Sequence, residues 1–134
     1  MVKKNLPKIS ADILLAEDSV VNQEVVIATL EFFGCNVDTV DNGKRAVQSW
    51  EVGTYDLILM DCLMPEMDGF EATRKIRSRE QQGNRIPIIA ISGHNSDDMQ
   101  VQMESAGMDD SLGKPFTTEE LYEMLRRWLG LVKE

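Results

Sequence analysis

Several kinds of protein are excluded by what this 134-residue chain lacks. No apolar stretch approaches the roughly 20 residues that a bilayer span needs, so no membrane crossing is expected. Basic residues are in the minority, with 14 Lys and Arg against 23 Asp and Glu, for a net charge of −9. Nucleic-acid backbones attract basic surfaces, so this balance argues against direct nucleic-acid contact. The two cysteines, Cys35 and Cys62, are too few for a disulfide framework, and a reducing cytoplasm is the default compartment. Both read as small buried apolar residues. No Gly-rich phosphate loop follows the first apolar run, which removes the usual mark of a nucleotide-binding domain. The first residues hold no continuous apolar segment, because Lys3, Lys4, Pro7 and Lys8 interrupt it, so a secretory signal is not expected there.

What is present is ordinary for one globular domain: 43% hydrophobic and 28% charged residues, with length enough to bury a core. Residues 1–11 are polar and without periodicity, and read as a tail or linker; the domain proper is expected over 12–134. Within it, apolar runs alternate with helical patterns. Ser19 is placed to cap a helix that buries Val26, Leu30 and Phe33 and stops at Gly34. A second strand is expected over 37–40, then a short helix burying Ala46, Val47 and Trp50. Asp68, with Glu71 three residues on, can cap a helix whose inner face is Phe70, Thr73 and Ile76. Residues 77–84 read as a polar connection. After a strand following Pro87, a helix from about Ser96 carries Met99, Met103 and Ala106. The stretch Thr117-Thr118-Glu119-Glu120 has capping-box spacing and opens a last helix with Leu121, Leu125 and Trp128 inward. A short fifth strand, at an edge, is expected near 110–113. Strict alternation of five strands and five helices implies a doubly wound parallel sheet with helices on both faces, an α/β fold.

The ends of the runs carry the chemistry. Leu57-Ile58-Leu59-Met60 ends at Asp61, Ile13-Leu14-Leu15-Ala16 at Glu17-Asp18, Ile88-Ile89-Ala90-Ile91 at Ser92-Gly93, and Ser111-Leu112 at Gly113-Lys114-Pro115. In an open α/β sheet, strand carboxyl ends form the edge where ligands bind. That edge would gather three carboxylates, a hydroxyl and an ammonium. Adjacent acids such as Glu17-Asp18 are common at helix starts, where they offset the dipole, but Asp61 beside them strengthens a metal role. Mg²⁺ takes oxygen ligands and few protein carboxylates, and it would keep crowded acids ionised. Lys114 can pair with Asp61 at rest and with a phosphoryl oxygen afterwards. The Lys114–Pro115 bond is a candidate cis peptide. Ser92 can donate to a phosphoryl oxygen, and Gly93 leaves the phosphate room. His94, the only histidine, reads as a bystander near the site.

The chain resembles the receiver domain of two-component response regulators. The motifs that carry the resemblance are Leu14-Leu15-Ala16-Glu17-Asp18, Asp56-Leu57-Ile58-Leu59-Met60-Asp61, Met64-Pro65-Glu66-Met67-Asp68-Gly69, Ile88-Ile89-Ala90-Ile91-Ser92 and Lys114-Pro115-Phe116. The wording around Asn22-Gln23, Met60-Asp61-Cys62 and Phe70-Glu71-Ala72-Thr73 is most like receivers of hybrid sensor histidine kinases. The resemblance implies a flavodoxin-like fold and a phosphorylation switch in a phosphorelay. Asp61 would accept a phosphoryl group from a phosphohistidine on a histidine kinase or a histidine phosphotransfer protein. Glu17, Asp18, Asp61 and the backbone carbonyl of Leu63 would hold Mg²⁺. Ser92 and Lys114 would bind the phosphoryl oxygens, and the acyl phosphate would be passed on or slowly hydrolysed. Leu63 and His94 flank the path of the attacking water and would tune its lifetime. In the family, the Ser92 hydroxyl and an aromatic three residues before the lysine move together as the switch; here that position is Ser111. The domain is expected to be monomeric, cytoplasmic and without membrane contact of its own, in a parent protein that could be membrane-anchored. A haloacid-dehalogenase-type phosphatase would need a second acid two residues after the nucleophile, where Leu63 stands. A phosphorylation-silent receiver-like binding module is the alternative.

Overall fold

A computed structural model describes residues 7–93 and 96–130. Ten elements alternate along the chain: β1 (Asp12–Ala16), α1 (Val20–Phe33), β2 (Asn36–Val40), α2 (Gly43–Val52), β3 (Leu57–Asp61), α3 (Gly69–Arg79), β4 (Ile88–Ser92), α4 (Asp97–Ala106), β5 (Asp110–Gly113) and α5 (Thr118–Leu129). The strands form one parallel sheet in the order β2-β1-β3-β4-β5. Every connection between neighbouring parallel strands therefore carries a helix, as a crossover requires.

Alternate strand residues divide the core in two. Ile13, Leu15, Leu57, Leu59, Ile89 and Ile91 point to a layer closed by α1 and α5. Leu14, Ala16, Ile58, Met60, Ile88 and Ala90 point to one closed by α2, α3 and α4. The central strands β3 and β4 are buried at every residue, which is why they read as continuous apolar runs. The sheet edges fall at β2 and β5, the two strands with the most polar content. The expected caps Ser19, Asp68 and Thr117 each accept a backbone N–H of the first turn, Thr117 within a full capping box, and Asn42 and Ser96 do the same for α2 and α4. Gly34 ends α1 at φ 103°, the left-handed conformation that Gly adopts without penalty.

Three details differ from the sequence expectation. Residues 7–11, expected within a polar tail, pack on the domain: Ile9 and Ala11 are buried, the Ile9 N–H donates to the Phe33 carbonyl, and the Tyr122 hydroxyl donates to the Pro7 carbonyl at 2.7 Å. Two isolated apolar residues among lysines give no periodic signal, yet they fill the gap between α1 and α5. Residues 77–84 are not simply a polar connection, because α3 runs on to Arg79 and Arg77 is held in a buried ionic cluster. Trp50 and Trp128 lie half-buried at the rims of the core. The cysteines behave as expected: burial pushes the Cys35 thiol up to about 11 and that of Cys62 to about 12, so both stay protonated. Among the described residues no helix is long and apolar enough to cross a membrane.

Candidate functional site

Parallel register brings the four polar strand ends level. Asp61 is the last residue of β3 and pairs with Ile91, one residue before Ser92 closes β4; Ser92 in turn pairs with Gly113 at the end of β5. The Lys114 N–H then donates to the Ser92 carbonyl at 2.8 Å. On the other side, Glu17 follows β1 and its N–H donates to the Val40 carbonyl of β2. The sheet thus delivers Glu17, Asp18, Asp61, Ser92 and Lys114 to one edge, as the sequence predicts.

Three carboxylates converge there. Glu17, Asp18 and Asp61 each offer an oxygen, and these atoms lie within 4.8 Å of one another. Glu17 and Asp61 are buried, at 2% and 6% exposure, whereas Asp18 faces solvent. The Lys114 ammonium reaches between the buried pair, 3.0 Å from Glu17 Oε1 and 3.1 Å from Asp61 Oδ2. The bond that follows it, Lys114–Pro115, is cis. Ser92 is buried beside them. His94 lies outside the described residues.

The electrostatics of this edge are divided. Burial raises the Asp61 carboxyl above its ordinary value and the Glu17 charge adds to this, while Lys114 and the Leu63 N–H pull it down without winning. Burial disfavours the Lys114 charge, yet Glu17 and Asp61 outweigh it and its pKa ends raised. Two buried acids thus share one ammonium and retain an excess of negative charge. A small hard cation with oxygen preference matches that excess, and the donor set fits Mg²⁺ in kind.

The loop after Asp61 is shaped as carefully as the strands. The Leu63 N–H donates to Asp61 Oδ1 at 3.3 Å, while Leu63 itself stands 57% exposed. On the far side, two contacts that sequence reasoning missed fix the first acid. The Gln23 side-chain amide donates to the Glu17 carbonyl at 2.6 Å, and the Ser19 N–H donates to Glu17 Oε2 at 3.0 Å. Gln23 lies four residues after the cap Ser19, facing back along the helix toward β1, and that spacing is the signal that could have found it. A cleft of about 370 Å³ opens beside the site, lined by Glu17, Asn22, Val25, Val26, Ile91, Lys114, Pro115 and Phe116. A larger depression of about 580 Å³ lies at the opposite end of the sheet, among residues such as Trp50, Tyr55 and Pro87, away from the converging carboxylates.

The receiver domain of the sensor histidine kinase PA1611 from Pseudomonas aeruginosa PAO1, solved with a magnesium ion coordinated in its active site cleft, is 45% identical. The match covers 90% of this chain and 98% of that one, with a TM-score of 0.84. The transcription factor SKN7 of Saccharomyces cerevisiae is 38% identical over 87% of this chain and 18% of its own length. The sensor protein GacS of Pseudomonas syringae is 36% identical over 89% of this chain and 13% of its own. The chain therefore spans less than a fifth of the length of these two curated relatives. The family model described as response regulator receiver domain matches residues 13–126, and the chain belongs to that family.

Proposed function

We propose that this domain is a Mg²⁺-dependent phosphoacceptor in a two-component phosphorelay, with Asp61 as the residue that takes the phosphoryl group. The observation that carries the proposal is the position of Asp61: buried at a strand end, with two carboxylates beside it and an ammonium at 3.1 Å. The donor is a phosphohistidine on a histidine kinase or a histidine phosphotransfer protein, in keeping with the sensor kinases among the relatives.

An oxygen of Asp61 attacks phosphorus, the bond from phosphorus to the imidazole nitrogen breaks, and its electron pair stays on the nitrogen. Phosphoryl transfer asks the protein for alignment and charge neutralisation more than for covalent help. Asp18, Asp61 and the Leu63 carbonyl would hold Mg²⁺, with Glu17 assisting, and the ion would supply charge neutralisation for the transferred group. Lys114 leaves its partner carboxylate to meet one phosphoryl oxygen, and the Ser92 hydroxyl meets another. Water later hydrolyses the acyl phosphate unless a second histidine removes it. A phosphorylation-silent role is disfavoured because every member of this set is retained and assembled. We place the domain in the cytoplasm, the default compartment for a chain whose two cysteines are free and buried.

Acetyl phosphate with Mg²⁺ is the direct test. Intact mass should rise by one phosphate in the parent, and the gain should vanish with chelator or in Asp61→Asn. Asp18→Ala should weaken Mg²⁺ binding more than Glu17→Ala, since a water-mediated ligand is easier to replace. Equal phosphorylation of Asp61→Asn would remove the proposal.

A further inference from the structure

We propose that Gly43, on a helix that contributes nothing to the carboxylate cluster, is a positioning residue for Asp61. The loop 62–68 leaves the acceptor and returns to start α3. At its base, the Gly69 N–H donates to the Cys62 carbonyl at 2.9 Å, and the Cys62 N–H donates to Ile91 of β4 at 3.0 Å. At its far side, the Gly43 N–H donates to the Met67 carbonyl at 2.8 Å. The loop is therefore tied at both ends by backbone bonds, with Leu63 between them.

Neither tie leaves space for a side chain. A Cβ on Gly43 would overlap the Met67 carbonyl oxygen and come within 2.9 Å of the Asp68 carbonyl oxygen. A Cβ on Gly69 would overlap the carbonyl oxygen of Asp61 itself. These obstacles are backbone atoms, so they cannot swing aside as a flexible side chain would. The loop they press on is already constrained: Glu66 holds φ at 69°, in a region non-glycine residues seldom occupy, and the Met67 N–H turns back to the Pro65 carbonyl at 2.7 Å. A displacement at Met67 has little slack to dissipate in before it reaches Leu63. Leu63 is where the loop touches the chemistry, because its N–H orients Asp61 Oδ1. Gly43 thus acts on the acceptor through five residues of backbone, from the first turn of α2.

The inference rests on the Mg²⁺ site proposed above, since the same loop presents the Leu63 carbonyl to the ion. Its test separates the two. Val47→Ala serves as the comparison, because Val47 is a buried core residue of the same helix that makes no contact with the loop backbone in the hydrogen-bond pattern. In metal-free buffer, amide shifts of Gly43→Ala should move throughout 62–68, with Leu63 among the largest, while those of Val47→Ala stay near α2. With Mg²⁺ alone as the probe, Gly43→Ala should bind about tenfold more weakly, the range seen when the supports of metal ligands are removed. Val47→Ala should bind as the parent does. An undisplaced Leu63 amide, or parent-like Mg²⁺ affinity in Gly43→Ala, overturns the role of Gly43. Failure of the parent to bind Mg²⁺ sinks the metal site instead, and the Leu63 amide in metal-free protein then decides the inference by itself. If Gly43→Ala does not fold, Asn42→Ala replaces it: losing the cap on the Arg45 N–H loosens the same first turn without a clash. A displaced Leu63 amide is expected there too, and an unmoved one counts against the proposal.

Discussion

Asp61 is asked to be two things, a buried group and an anion, and its surroundings leave these in tension. Its folded pKa lies above the ordinary carboxylate value because burial outweighs the help of Lys114. A carboxyl raised in the fold binds its proton more tightly folded than unfolded, so its ionisation costs stability once pH has risen through the folded pKa. At neutral pH without metal, Asp61→Asn should therefore melt at a higher temperature than the parent. Mg²⁺ should stabilise the parent and narrow the difference, because a ligand of the native state adds stability by mass action. A lower melting temperature for Asp61→Asn in chelator would show that Lys114 more than repays the burial. Leu63 bears on a second property under the proposed function, the lifetime of the acyl phosphate. Its side chain is exposed and has no polar group to orient an attacking water, so on the proposed function its bulk would shield the acyl phosphate. Leu63→Asn should dephosphorylate measurably faster than the parent in a chase after acetyl phosphate is removed. Unchanged or slower decay would mean this side chain does not limit water access.

Elements were legible where their cause is local. Caps such as Ser19 and Thr117, stops such as Gly34, and the runs of β3 and β4 all depend on residues within a few positions of each other, so the sequence displays them. The acceptor edge was legible for the same reason, since each site residue directly follows an apolar run. Contacts made across the chain left no such trace. The Arg77 guanidinium is the clearest case: it donates to Asp109 at 2.7 Å, to Glu80 at 2.8 Å, and to the Ile86 and Gly107 carbonyls. One side chain thereby joins the end of α3 to the entry of β4 and the end of α4. In sequence it is only another charge in a polar stretch, because two of its partners, Gly107 and Asp109, lie 30 and 32 residues away. Its side chain is 12% exposed and those of Asp109 and Glu80 about as little, so removing it leaves two acids poorly compensated in a dry place. Arg85 covers Asp109 Oδ1 but does not reach Glu80 in this arrangement. Arg77→Ala should therefore cost about 3 kcal/mol or more in urea unfolding. A loss below about 1 kcal/mol would place the cluster with ordinary surface ion pairs. Gly43 escaped for the same reason as Arg77: its close approach to the Met67 carbonyl appears only when segments 24 residues apart meet.

At the scale of the whole molecule, phosphorylation at one edge must be converted into a change of surface elsewhere. The expected lever, an aromatic residue on β5, is replaced by Ser111, which is too small to fill an inner pocket by rotating. The structure adds a reason for this edge to stay still. Asp110, next to Ser111, accepts bonds from the Trp128 indole at 2.9 Å, from Arg127 at 2.7 Å and from the Ser111 N–H at 2.9 Å. Although burial opposes the Asp110 charge, those three donors outweigh it and lower its pKa, so the tie holds at neutral pH. The start of β5 is thereby fastened to the end of α5, independently of the acceptor. By contrast, the first two turns of α4 bury no residue before Met103, while its end is held by Arg77 at the Gly107 carbonyl. If Ser92 acts as the proposed switch, its motion would meet a helix start with no buried residue before Met103 and a clamped strand beyond it. A ligand shifts a conformational equilibrium only by its differential affinity for the two states, and a strand that makes the same contacts in both contributes none. Adding beryllofluoride with Mg²⁺ should therefore shift amides strongly just after Ser92 and through the start of α4, and weakly at 110–113. The domain should also remain monomeric in solution under those conditions, leaving partner recognition to the acceptor edge and α1. Large shifts throughout 99–113, or dimers appearing on beryllofluoride addition, would show that Ser111 and the Asp110 tie do not hold the β5 edge in place.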